Sequence, residues 1–211
     1  MTEIIKVDPL KPDLNLLMKA EEVLRKGGVI AYPTDTVYGL GVNALNEEAA
    51  RKVFSLKKRD ESKPLLLVVS EEFNLKKIIT EVSPQALKLI KTFWPGPLTI
   101  IFKANNKVSP LLTGGTGKIG VRVPDNLIAL KLLSLCRFPI TSTSANPSGM
   151  EEAKTAEEVK NYFSKKIDLI IDGGKCQKAL PSTIVEIEKG EIKVLRKGMI
   201  SEEIIASALT K

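Results

Sequence analysis

Apolar runs typical of buried strands alternate with helical patterns along the whole chain. The first unit combines an apolar run at 4–7, a helix that Asp13 can cap, and a stop at Gly27 and Gly28. This alternation predicts a mixed α/β domain rather than a helical bundle or a β-sandwich. The apolar runs predict strands at 4–7, 29–32, 65–69, 98–102, 119–123, 140–143, 169–171, 182–187 and 192–195, the last two as a hairpin.

Capping residues mark where the predicted helices begin. Asn46 precedes one, Ser83 with a following proline precedes a second that runs to about 94, and Thr155 with Glu158 forms a capping box. Further helices are predicted over 127–135 and from 201. No repeat or linker interrupts the series, which predicts one domain over residues 1–211. The pattern leaves the parallel or antiparallel order of the strands open.

Composition removes several kinds of chemistry. The 211 residues are 43% hydrophobic and 27% charged and include no histidine, which excludes Ser-His-Asp and Cys-His nucleophiles and imidazole metal sites. The two cysteines, Cys136 and Cys176, form no CxxC motif, so we predict buried thiols and no metal site. The longest aliphatic run, at 65–69, is far below the ~18 residues that cross a membrane. We therefore expect a cytoplasmic protein without membrane contact.

Charge adds a preference for anionic partners. Lys and Arg number 32 against 25 Asp and Glu, a formal net charge of +7. The segment 51–63 concentrates basic residues, and within it Lys57 and Arg59 fall where a predicted helix ends. A cation pair at that place suits phosphate binding, although a salt-bridged helix end explains it equally well.

Polar loops follow two of the predicted strands, at 33–41 and at 141–149. Loops that follow strands in open α/β sheets line ligand crevices, and these loops offer hydroxyls, a carboxamide and glycines. The glycine-rich segment 114–118 lacks the spacing of a Walker phosphate loop. Arg122 lies between two valines at a predicted strand end, where it needs an anionic partner. A substrate carboxylate or a structural aspartate would both serve.

Together these segments resemble the YrdC-like family of threonylcarbamoyl-AMP synthases over about residues 4–200. The resemblance implies a YrdC-like α/β fold, a twisted open mixed sheet with flanking helices and a basic concave surface. It rests on PTDTVYGLG at 33–41, the Lys57-x-Arg59 pair, FWPGPLT at 93–99, IGVRVP at 119–124, STSAN at 142–146, PSTIV at 181–185 and LRKG at 195–198.

The implied activity converts L-threonine, bicarbonate and ATP, with Mg²⁺ accompanying the nucleotide, into L-threonylcarbamoyl-AMP and pyrophosphate. This product serves N6-threonylcarbamoyladenosine formation at position 37 of tRNAs that read ANN codons, through a downstream tRNA threonylcarbamoyl-transfer machinery. The residues implied for L-threonine are Thr34, Arg122, Ser142 and Ser182. Those implied for ATP are Lys57, Arg59, Ser144, Asn146 and Arg196.

The chain departs from the family pattern at two positions. Val68 stands where some relatives have a histidine, and Lys118 stands where a smaller hydroxyl residue is frequent. Two other functions stay open at this point. One is a double-stranded RNA or tRNA binding module without catalysis, which the basic surplus favours. The other is carbamoyl transfer through a carbamoyl-adenylate, as in the related domain of hydrogenase-maturation proteins.

Overall fold

The predicted strands form within one residue of the expected positions and pair into a mixed sheet. The computed structural model describes residues 1–176, 180–188 and 190–210. Lys189, at the tip of the predicted hairpin, lies outside the described residues. The strands are β1 (Glu3–Lys6), β2 (Ile30–Tyr32), β3 (Gly39–Gly41), β4 (Leu66–Val68), β5 (Leu98–Lys103), β6 (Lys118–Arg122), β7 (Ile140–Ser144), β8 (Leu169–Asp172), β9 (Thr183–Glu188) and β10 (Glu191–Arg196).

The predicted helices form where their caps indicate. Asp13, Asn46, Ser83 and Asn126 each accept a bond from the first turn of the helix that follows, and the capping box at Thr155 is complete. The helices are α1 (Leu14–Arg25), α2 (Glu47–Lys57), α3 (Pro84–Phe93), α4 (Pro110–Thr113), α5 (Leu127–Cys136), α6 (Ala156–Phe163) and α7 (Glu202–Thr210). No helix of the described residues is long and apolar enough to cross a membrane.

The order of strands across the sheet is β1-β8-β2-β3-β7-β4-β6-β5-β9-β10. Parallel pairs join β8 to β1 and β2, β4 to β6, and β5 to β9. The remaining neighbours are antiparallel, including the β9–β10 hairpin. This mixed order confirms the predicted class and supplies the directions that the hydrophobic pattern left open.

Helices cover most of one face of the sheet, and they cover the other face only in part. Ile30 and Tyr32 contribute to one apolar cluster together with α1 and α5, whereas Ala31 between them contributes to a second cluster on the opposite face with α2 and α6. Strand β8 divides its residues in the same alternating way. Both cysteines are buried free thiols, as predicted. Among the described residues, none from β5, β6, β9 or β10 belongs to the cluster with α1 and α5, so that face of the sheet is left open to a ligand at these strands.

Three short elements were not predicted from sequence: strand β3, helix α4 and a single 3-10 turn at Leu75–Lys77. Strand β3 has the sequence Gly39-Leu40-Gly41 and shows no apolar alternation, yet it is buried between β2 and β7. Helix α4 spans a single turn before Gly114, which adopts the left-handed conformation. None of these segments is long enough to show a period. Strand β3 matters most, because it carries the polar loop at 33–41 back into the sheet.

Candidate active site

A cavity of about 240 Å³ opens where polar ends of central strands meet. Its walls come from the loop after β2, from β4 and β7, and from the ends of β6 and β10. Seven of the nine predicted site residues line it: Thr34, Arg59, Arg122, Ser142, Ser144, Ser182 and Arg196. The other two, Lys57 and Asn146, line an adjoining cavity of about 340 Å³ that shares Arg59, Thr143 and Ser144 with the first. The fold thus gathers all nine residues at two neighbouring cavities.

Arg122 at the end of β6 brings a buried positive charge to the cavity. Its Nη2 lies 3.4 Å from Oδ1 of Asp35, and the two side chains are only 7% and 1% exposed. Among the described residues, Nη1 of Arg122 has no hydrogen-bond partner. Sequence reasoning offered a substrate carboxylate or a structural aspartate as the partner of this arginine. The structure supplies the aspartate and also leaves one donor group unpartnered.

Hydroxyl groups surround the arginine and are themselves fixed by hydrogen bonds. The Thr34 hydroxyl donates to the Val37 carbonyl at 2.7 Å and accepts from the Thr36 backbone N–H at 3.1 Å, which shapes the loop after β2. Across the cavity, the hydroxyls of Thr99 and Ser182 lie 2.9 Å apart. These contacts hold the hydroxyls at defined positions in the cavity wall.

Arg196 at the end of β10 is tied to the start of β9. Its Nη2 donates to the Ser182 carbonyl at 2.9 Å and to the Ser182 hydroxyl at 3.0 Å. Burial lowers the pKa of the Arg196 guanidinium, and the nearby positive charge of Arg122 lowers it further, whereas Glu152 acts in the opposite direction. The cavity thus holds the buried Arg122 close to the more exposed Arg196, an arrangement suited to a ligand with more than one negative group.

Lys57 at the end of α2 crosses to the loop that follows β7. Its Nζ donates to the backbone carbonyls of Ser144 and Asn146, the second at 2.6 Å, and lies 3.5 Å from Oδ1 of Asn146. Burial and, to a smaller extent, the charge of Arg59 lower the pKa of this amine to about 8, against the opposing effect of Glu152. Asn146 in turn donates to the carbonyls of Pro147 and Met150. Lys57 therefore fixes the loop that presents Ser144.

Arg59 lies on the boundary between the two cavities. It follows Lys58, which ends α2 in the left-handed conformation, and its Nη2 donates to the Pro64 carbonyl at 2.8 Å. Burial lowers the pKa of its guanidinium. Both basic residues singled out in the segment 51–63 are thus bonded to backbone carbonyls rather than to acidic side chains. Within the described part of the chain, neither Lys57 nor Arg59 forms a salt bridge, so the salt-bridged helix end that the sequence left open is not found for this pair.

Several lining residues were missed from sequence. Thr36 lies in the motif at 33–41 and Thr99 in the motif at 93–99, so their hydroxyls could have been listed as candidates. Nothing in the sequence indicates Glu152. Residues 65–68 form an apolar wall that includes Val68. Lys118 lies outside the cavity, where its Nζ pairs with Glu186 at 2.6 Å.

A mixed, twisted sheet with a cationic and hydroxyl-rich cavity defines the class: an α/β protein with a cavity whose side chains suit an anionic ligand. The family model Sua5/YciO/YrdC, described as telomere recombination, matches residues 22–198. The chain belongs to this family.

Named relatives and a solved structure agree with this placement. A threonylcarbamoyl-AMP synthase of Pyrococcus abyssi is 38% identical over 186 residues, which cover 88% of this chain and 55% of that protein. One of Thiobacillus denitrificans is 37% identical over 169 residues, covering 80% and 89% respectively. A crystal structure of P. abyssi Sua5 complexed with L-threonine matches with a TM-score of 0.94 at 36% identity, covering 99% of this chain and 61% of that one. The chain thus spans little more than half of the archaeal relative.

Proposed function

We propose that this protein is an enzyme, an L-threonylcarbamoyl-AMP synthase that forms its product and pyrophosphate from L-threonine, bicarbonate and ATP. The product would pass to the machinery that transfers the threonylcarbamoyl group to tRNA. Family membership and the names of the relatives support this assignment. The single observation in this chain that carries it is the buried Arg122, with an unpartnered Nη1, set among fixed hydroxyls in the cavity.

The amino-acid end of the cavity is built around Arg122. A carboxylate on Nη1 would satisfy that donor and receive a charge-assisted bond in a site shielded from water. Thr34, Ser142 and Ser182 would orient the remaining polar groups of threonine, and Val68 would contact its apolar part. These roles follow the assignments that the sequence predicted for the four residues.

The nucleotide end would use Arg59, Ser144 and Arg196 with the adjoining cavity. Lys57 and Asn146 face that cavity, yet their polar groups are largely engaged with the loop after β7. We therefore propose that Lys57 supports ATP binding chiefly by fixing Ser144, and that its charge adds to the attraction for phosphates.

The reaction requires placement more than acid–base groups. The amine of threonine combines with carbon dioxide from bicarbonate to form a carbamate, and water is released. A carbamate oxygen then bonds to the α-phosphorus of ATP while the bond to pyrophosphate breaks. Arginine side chains close to these oxygens would stabilise the charge that develops, and the fixed walls would hold the two reactants in line. This chemistry is compatible with a chain that has no histidine.

We also propose that ATP binds with Mg²⁺. The described residues contain no group of three or more His, Cys, Asp or Glu placed to hold a metal ion, and Glu152 is the one acidic residue among those lining the main cavity. These residues do not fit a dedicated magnesium site. The ion's ligands would be phosphate and water oxygens, and no step above depends on a protein ligand.

Pyrophosphate release from purified protein tests the proposal. With ATP, bicarbonate and Mg²⁺ present, we expect release to depend on L-threonine, and a new adenylate to appear in equal amount by mass spectrometry. Omitting bicarbonate and replacing threonine with glycine are the controls. Absence of threonine-dependent pyrophosphate, together with RNA binding that weakens steeply with salt, would support the binding module instead.

A further inference from the structure

Asp35 is a buried acid whose role the proposed reaction leaves unexplained. It follows Thr34 in the loop after β2, and its side chain is 1% exposed. Burial of a carboxylate is costly unless it is paired and hydrogen-bonded. Among the described residues, Arg122 is its salt-bridge partner, and neither oxygen of Asp35 has a hydrogen bond. Because burying this carboxylate is unfavourable, packing alone does not explain why an aspartate occupies the position.

The geometry of the pair is one-sided. The contact is made by Nη2 of Arg122 alone, at 3.4 Å, and is not the close bidentate arrangement that arginine and carboxylate usually form. Nη1, on the same guanidinium, is buried and unpartnered among the described residues. Asp35 is not among the residues that line the cavity, whereas Arg122 is. Asp35 therefore contacts the guanidinium away from the cavity and leaves a second nitrogen for a ligand.

The backbone around the pair is well fixed. Arg122 ends β6, which is hydrogen-bonded to β4 on one side and to β5 on the other, and its carbonyl accepts from Val69 at 3.1 Å. On the opposite side, the Thr34 hydroxyl bonds lock the turn that carries Asp35. With both backbones fixed, the long arginine side chain is the flexible part. An anchor is what determines where its free nitrogen points.

We infer that Asp35 is a positioning residue that orients Arg122 so that Nη1 meets the carboxylate of the amino-acid substrate. The inference rests on the proposed function, because it takes threonine as the ligand. It assigns the selectivity for a free carboxylate to the pair rather than to Arg122 alone. Neutralising Asp35 leaves the positive charge in place but removes the group that aims it.

The test compares L-threonine with L-threoninamide, which lacks the carboxylate charge, by calorimetric titration of the whole chain. We expect the wild type to prefer threonine by about 10- to 100-fold, the range for a charge-assisted bond. In Asp35→Asn this preference should fall about tenfold through weaker threonine binding, while the affinity for an ATP analogue changes less than about twofold. Equal weakening of both amino-acid ligands, an unchanged preference, or tighter threonine binding would each overturn the inference.

Asp168→Asn is the matched control. The Asp168 carboxylate accepts from the Val29 backbone N–H at 2.7 Å and does not line the cavity, so its loss should lower stability without changing the preference for threonine. A change of the same size in this control would assign the effect to general destabilisation and overturn the inference.

A second comparison covers the case in which Asp35→Asn does not fold because it leaves a buried charge alone. Arg122→Gln is compared with Arg122→Gln combined with Asp35→Asn. If Asp35 acts through Arg122, the second change should leave the ligand preference unchanged in this background. A further loss would overturn the inference. A wild type that binds no threonine would instead contradict the proposed function.

Discussion

Side chains around the cavity differ in whether their polar groups are already engaged. Nη1 of Arg122 is unpartnered among the described residues, whereas all the contacts of Lys57 run to the loop after β7. The sequence predicted both residues as ligand contacts, since it shows residue type and spacing but not which donors the backbone takes. It also suggested an aspartate for Arg122 without identifying Asp35. The hydrogen bonds of the folded chain therefore distinguish a residue with a donor available to a ligand from one whose donors are engaged, which the sequence does not do.

The buried amine of Lys57 predicts a dependence of stability on pH. Burial lowers its folded pKa to about 8, below the ordinary 10.5, so the folded protein releases this proton before the unfolded chain does. Stability is therefore gained as pH rises from about 8 to 10.5. Relative to Lys57→Met, the free energy of unfolding of the wild type should rise by about 3 kcal/mol between pH 7.5 and 10.5 in urea titrations.

Lys131→Met, at an exposed position in α5, is the control for that measurement, and its difference from the wild type should stay constant over the same pH range. A constant difference for Lys57→Met as well would mean that the buried amine keeps an ordinary pKa.

At the scale of elements, capped helices and long apolar strands were predictable, and short glycine-containing ones were not. The helix caps and the capping box depend on side chains that accept hydrogen bonds from the first turn, so the start of each such helix can be read from the sequence. Strand β3 forms because its glycines allow β2 and β7 to approach closely. Whether such close approach occurs depends on the partner strands, so the sequence of β3 alone does not show it. The position of β3, between β2 and β7, joins the loop of Thr34 to β7 and becomes visible only in the structure.

Alanine substitutions in β3 test this close packing. A Cβ at Gly41 would lie 2.6 Å from Cγ2 of Ile140 and 2.9 Å from the Thr141 carbonyl oxygen, whereas at Gly39 the nearest atom would lie 3.2 Å away, in the Tyr32 ring. We expect Gly41→Ala to lower the free energy of unfolding by about 1–3 kcal/mol and Gly39→Ala by less. Denaturant unfolding measures the free energy of unfolding of both variants. Equal losses would mean that β3 shifts easily to accommodate the methyl group.

At the scale of the whole molecule, the regions proposed for the amino acid and for the nucleotide share β7 and the loop that follows it. Ser142 and Ser144 both belong to β7, and the loop beyond it is held by Lys57. The order of strands that brings these residues opposite Arg122 could not be predicted, because an apolar pattern carries no pairing direction. The family motifs, in contrast, contain most of the residues that line the cavity, although not Glu152 or the apolar wall at 65–68.

This shared strand predicts coupling between ligands. We expect a ligand at one end to restrict β7 and its loop beyond what Lys57 already does, which reduces the entropy that the second ligand must remove. L-threonine and a non-hydrolysable ATP analogue together should raise the melting temperature by more than the sum of their separate shifts. Glycine in place of threonine serves as the control. Strictly additive shifts in thermal unfolding would indicate two independent subsites.

The path of the chain through the sheet also orders the events of folding. Thr34 lies early in the chain, yet Ser182 and Arg196 reach the same cavity only when β9 has paired with β5 and β10 with β9. The β9–β10 hairpin is local, but β5 and β9 are about 80 residues apart in sequence, and such a pairing forms slowly because the intervening chain must be closed first. During synthesis, the last wall of the cavity is thus added after the rest of the sheet has been made. A nascent chain that lacks β9 and β10 contains Arg122 but not Ser182 or Arg196, so we expect substrates to assist folding only once these two strands have been made.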